Sequence, residues 1–144
     1  MTLAISSHGT IVSRAKAATP TVFEAIAELG DVTPPEMMRN EFDATTQDKN
    51  IDAYVLGVLR RGAFTTPLNF LPTNGTQDHL TGLYKAIIDN SIDGYKITFP
   101  DAVEWVLSGQ VQHIAPKAPV DGKLSADVTI RFSGGMTIGG VVII

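Results

Sequence analysis

Leu124, Ala126, Val128, Ile130 and Phe132 alternate with Ser125, Asp127, Thr129 and Arg131, the two-residue period of a strand with one face buried, and predict a strand over 123–132. Similar runs predict strands over 9–14, 63–71, 95–99 and 103–114. Over 36–45, Met38, Asn40, Phe42 and Ala44 fall on one side and Met37, Arg39, Glu41, Asp43 and Thr45 on the other, which reads as a half-buried strand with a charged outer face. Residues 22–29 fit both periods and are read as a strand, since Gly30 and Pro34 close the run quickly. One helix is predicted, over 76–91, where Leu80, Leu83, Tyr84, Ile87 and Ile88 form a single stripe. Asn74, Gly75 and Thr76 mark its start, with Asp78 in the first turn, and Gly94 lies past its end. Asp121-Gly122 signals a tight turn, and Asp93-Gly94 and Pro100-Asp101 further turns.

Residues 46–62 take neither period and read as a long loop. Yet Tyr54, Val55, Leu56, Val58 and Leu59 are too apolar for a solvated loop, and the terminal run Val141 to Ile144 would be a hazard as a free strand edge. Neighbouring copies of the chain would cover both; folding back on the chain's own core would account for either one alone. The predicted architecture is mainly β: two packed antiparallel sheets, a sandwich or barrel, with one flanking α-helix. It forms one domain over 1–144, with an N-terminal arm (1–20) and a glycine-rich apolar tail (133–144).

Composition narrows the classes. The chain has 144 residues, no cysteine, 18% charged residues and 44% hydrophobic ones, which suits one packed core and excludes disulfide scaffolds, thiol nucleophiles and cysteine-ligated metals. A compact monomer of this mass exposes roughly 7,000 Å². No apolar stretch approaches the ~20 residues of a membrane-spanning helix, and the first residues lack a signal peptide's apolar region, so a soluble, non-secreted protein without membrane contact is expected.

The net charge of −4 is uneven: +2 over 1–23, −6 over 24–52 and zero over 53–144. A strongly acidic segment disfavours a phosphate grip.

Chemistry is sparse. His8, His79 and His113 have no partner at ligand spacing, so no metal is expected; there is no nucleophile elbow, and Gly134 to Gly140 is followed by no helix whose N-terminus could hold a phosphate. Glycine-rich turns joining terminal strands account for that segment. No catalysis and no cofactor are expected.

The order of parts is distinctive: Pro34-Pro35-Glu36, the acidic strand end Glu41 to Thr45, a long loop, Leu59-Arg60-Arg61-Gly62-Ala63-Phe64, and Asn69-Phe70. The helix with His79-Leu80 follows, then Tyr95 to Asp101 with its Phe-Pro-Asp turn, Ser108-Gly109-Gln110-Val111, and Ala118 to Ile130 with Pro-Val-Asp-Gly-Lys. Over about residues 20–133 this resembles the tail tube protein of long-tailed, non-contractile bacteriophages.

The resemblance implies a structural virion protein, assembled in the host cytoplasm, whose hexameric rings stack into a hollow tube that conducts the genome. It implies tape measure, tail terminator and tail tip proteins as partners, and DNA that transits without specific binding. It also implies that the loop 46–62 reaches a neighbouring ring, making Asp48, Asp52, Tyr54, Leu56 and Leu59 assembly residues, and that subunit sheets join edge to edge around the channel. Glu41 and Asp43 are the candidate lumen wall, where carboxylates would repel phosphates. The immunoglobulin-like C-terminal domain frequent in that family has no counterpart after Phe132. Two alternatives stand: a tailocin or type VI-like secretion tube subunit, and a small β-sandwich ligand-binding module with a concave aromatic patch.

Overall fold

The computed structural model describes residues 3–16 and 19–143; Met1, Thr2, Ala17 and Ala18 of the predicted arm and Ile144 of the predicted tail lie outside the described residues. The strands are β1 (Ile11–Ala15), β2 (Glu24–Ala25), β3 (Met37–Asp43), β4 (Tyr54–Arg61), β5 (Ala63–Asn69), β6 (Asp93–Thr98), β7 (Glu104–Lys117), β8 (Ser125–Ile138) and β9 (Val141–Val142), with one helix, α1 (Leu83–Asp89). The expected class holds as mainly β with two antiparallel sheets and a flanking helix, but the two sheets are not packed face to face.

The two sheets are unequal. One has the order β2-β1-β6-β7-β8-β5, with β9 on the far half of β8; the other is the β3-β4 ribbon alone. The large sheet curls until its ends meet. The segment after edge strand β2 reaches edge strand β5 through the bridges Leu29↔Leu68 and Thr33↔Thr65. Backbone bonds from Gly30 N to Pro67 O (2.8 Å) and Asn69 N to Glu28 O (2.9 Å) close the seam.

Alternation fills the interior. Phe64 and Leu68 from β5, Tyr95 and Ile97 from β6, and Ala126, Val128, Ile130 and Phe132 from β8 turn inward, with Phe132 set against Phe64 and Tyr95 at ring-centroid distances of 6.4 and 6.0 Å. The helix adds Leu83 and Ala86 to this core and packs on β7.

Several expectations change. The helix is seven residues long, not sixteen, because residues 78–82 form turns. The Asp78 carboxylate accepts from the amides of Leu80, Thr81 and Gly82, and Gly82 is extended (φ −102°, ψ −155°), its α-carbon pressed against the Gln77–Asp78 backbone with no room for a side chain. Asn90 in the left-handed conformation ends the helix, four residues before Gly94. Leu80 and Ile88, placed on the apolar stripe, are therefore exposed.

The strand expected over 22–29 shrinks to β2. Asp121-Gly122 does not close a tight hairpin: β7 and β8 end at Lys117↔Ser125, leaving a seven-residue loop, and Leu124 lies in it rather than in the strand. The segment 46–62 is not a loop throughout, since β4 occupies Tyr54–Arg61.

The glycine-rich tail acts as a turn between terminal strands. β8 runs on through Gly134 (φ +82°) to Ile138, Gly139 (φ +57°) and Gly140 (φ +83°) reverse the chain, and β9 pairs back through Thr137↔Val142.

Candidate functional site

The ribbon is the exceptional part of the molecule. β3 and β4 pair from Met37↔Arg61 to Asp43↔Tyr54, with one bulge between Arg39 and Glu41, and make almost no contact with other elements. Both outer edges are unpaired among the described residues. Every residue of β3 is exposed, so the strand is not half-buried as its alternation suggests: no layer covers either face. Met38, Phe42, Tyr54, Val55, Leu56 and Val58 are each 51–68% exposed. An isolated two-stranded hairpin is at best marginally stable in water, and apolar side chains on both faces call for cover on both.

The surface area says the same for the whole chain. It exposes 9291 Å², about 2,000 Å² more than a compact monomer of this mass. An excess of that size matches what permanent subunits bury between them.

Charge is graded along the ribbon. Its base carries Arg39, Arg60 and Arg61; its distal half, from Glu41 through Asp43, Asp48 and Asp52, carries four carboxylates against Lys49. The rest of the acidic block, including Glu24, Glu28 and Asp31, lies on β2 and the strap that follows it, so the −6 segment is not one continuous face.

Glu41 and Asp43 share a pleat face and stand opposite Leu56 and Tyr54. The Thr45 amide and hydroxyl beside Asp43 hold its carboxyl below the usual carboxylate range. At the tip Asp43 bonds Thr45 N at 2.9 Å, and Thr46 Oγ1 donates to Asp48. Asp48 and Asp52 thus lie in the tip, whereas Tyr54, Leu56 and Leu59 belong to β4 and reach the same surface from a strand.

Two open grooves of about 550 and 520 Å³ flank the strap at residues 28–32. Ser6, Ser7 and His8 line the first and Pro67, Asn69 and Lys123 the second; neither is lined by Phe, Tyr or Trp, so the concave aromatic patch of a ligand-binding module is not found there. Among the described residues no group of three His, Asp or Glu side chains is placed to hold a metal ion, and no helix is long and apolar enough to cross a membrane.

Sequence reasoning missed that the apolar run at 54–59 is a strand. The signal was available in its β-branched and aromatic content, but Gly57 and the bulge beside it break the alternation.

A family model described as lambda phage tail tube protein matches residues 7–139. No curated protein sequence matches the chain significantly. Several solved structures share its fold at low identity. A chain of the anti-feeding prophage baseplate, six-fold symmetrised, is 13% identical with a TM-score of 0.76, the match covering 98% of this chain and 99% of that one. A chain from the tail of an empty gene transfer agent particle, refined with C6 symmetry, is 14% identical with a TM-score of 0.76, covering 93% and 98%. A chain from the sheath–tube complex of the extracellular contractile injection system PVC is 14% identical with a TM-score of 0.69, covering 96% and 93%.

Proposed function

The chain belongs to the lambda phage tail tube protein family, and on that basis we propose that it is the subunit of a phage tail tube, assembled as hexameric rings that stack around a channel for DNA. The ribbon carries this reading: an element with two free edges, apolar on both faces, is stable once neighbouring copies cover it. In a ring of copies related by rotation, β4 of one ribbon lies antiparallel to β3 of the next, so two different edges pair heterologously and the ring closes on itself. Six-fold symmetry is the value recorded for two of the fold neighbours, and it is the value proposed here.

Glu41 and Asp43 are proposed to face the channel. Carboxylates there repel phosphates, so DNA passes without being held. Asp48 and Asp52 are proposed to reach an adjacent ring, and the ring stack to meet terminator, tip and tape measure proteins at its ends and in its lumen. The tube is proposed to be that of a non-contractile tail. A tailocin or secretion tube would use the same ring and differ in partners.

Negative-stain microscopy of concentrated purified protein tests the reading. Rings or hollow tubes are expected; a chain that stays monomeric at every concentration, with the ribbon intact, overturns it.

A further inference from the structure

Resting on the tube reading, we propose that the β7–β8 loop, residues 118–124, is the seat for the ribbon tip of a second copy in the adjacent ring. The two features sit at opposite ends of one body. β5 pairs with β8 from Ala63↔Arg131 to Asn69↔Ser125. The ribbon leaves at the Ala63 end, where β4 runs into β5 across the single residue Gly62. The β7–β8 loop caps the other end, beyond Lys117↔Ser125. Copies stacked in one orientation therefore bring the tip of one toward the loop of another.

Their chemistry matches. At the tip, Ile51 is 81% exposed beside Asp52, which makes no ion pair among the described residues, and the distal ribbon is acidic. In the loop, the Val120 side chain is fully exposed and Leu124 partly so. Lys117 is held by Asp127 at 3.0 Å, whereas Lys123 makes no ion pair among the described residues. Asp121, beside Val120, also makes no ion pair among the described residues, so the loop is neutral overall and the match is local: Leu124 beside Lys123 against Ile51 beside Asp52. The loop is also longer than its hairpin needs, since two residues suffice to join antiparallel strands. Contacts of this kind are screened by salt, so stacking should weaken as ionic strength rises.

The chain has no cysteine, which makes introduced thiols unambiguous. Tubes of the Asp52→Cys/Val120→Cys variant, treated with a short bis-maleimide, should give a ladder of covalent multimers on a denaturing gel. Asp52→Cys/Ile88→Cys tubes, with the second thiol on the exposed helix face, should give none. Lys123→Glu should lower tube yield, and Asp52→Lys in the same chain should restore it. Tubes that form normally but give no Asp52–Val120 ladder, or a ladder only with Ile88, overturn the docking and leave the tube reading standing. Failure of the unmodified chain to form rings or tubes overturns both.

Discussion

Arg14 and Asp93 form a buried pair with both Nε and Nη2 of the guanidinium 3.0 Å from the same carboxylate oxygen. Arg14 also donates to Thr81 O at 3.1 Å, and Ser91 Oγ donates to Asp93. The pair therefore ties β1 and β6 to the turns before and after the helix. Arg14→Ala leaves a buried carboxylate uncompensated and should cost about 3–5 kcal/mol in urea unfolding. Next to it the Tyr95 hydroxyl is buried beside the Arg14 guanidinium with no well-formed hydrogen bond among the described residues, and burial, with the Asp93 charge beside it, pushes its pKa well above that of a free tyrosine. Tyr95→Phe should be neutral or stabilise by about 1 kcal/mol, because it removes an unsatisfied hydroxyl and keeps the ring. Asp78 is held below the ordinary carboxylate range, first by the Thr81 amide. Its contribution is present above the unfolded value of about 4 and is lost as pH falls through the lower folded value. Asp78→Asn should therefore lower the melting temperature at pH 7 and flatten its decline below pH 4.

At the scale of elements, what could be read from the chain depended on whether a single buried face decided the pattern. β8 is legible because Ala126, Val128, Ile130 and Phe132 face the core and their neighbours do not. The helix is legible only in its second half: Leu83, Tyr84 and Ile87 pack, while Leu80 belongs to a turn set by the Asp78 carboxylate and by Gly82. Those contacts are tertiary and local hydrogen-bond choices that periodicity does not encode. The ribbon is the opposite case. β3 alternates cleanly, yet this chain alone covers neither of its faces, and β4 reads as an irregular apolar run. The candidate residues Glu41, Asp43, Asp48 and Asp52 could be placed on one segment from the sequence, but not the hairpin that brings them together with Tyr54 and Leu56. Removing residues 48–52 should leave the ribbon register intact, since Ala44 already bonds Ala53 across the turn, and three residues can bridge the gap. The variant should melt like the parent and form no tubes in sedimentation; tubes of normal length would show that the tip is dispensable.

For the whole molecule, the excess of exposed surface and the graded charge act together. Apolar faces favour association, while the carboxylates of the distal ribbon are proposed to keep association from extending to nucleic acid. Glu41→Lys/Asp43→Lys should convert a proposed repelling wall into a retaining one. Tubes of that variant should shift double-stranded DNA on a gel at low salt and release it as salt rises, whereas parent tubes should not. Variant tubes that ignore DNA would place those carboxylates away from the channel.

The junction between ribbon and body has a mechanical consequence. The two parts are joined by two chain crossings, at 34–36 and at Gly62, steadied by the bond from Gly62 N to Glu36 O at 2.9 Å. In a stack of such subunits, the ribbons would be fixed in the wall and the bodies would lean against them through this neck. Curvature could then be absorbed by small changes of angle at each neck, with every strand ladder intact. The assembled filament would behave as stiff discs on compliant joints, able to flex over its length while its bore stays open.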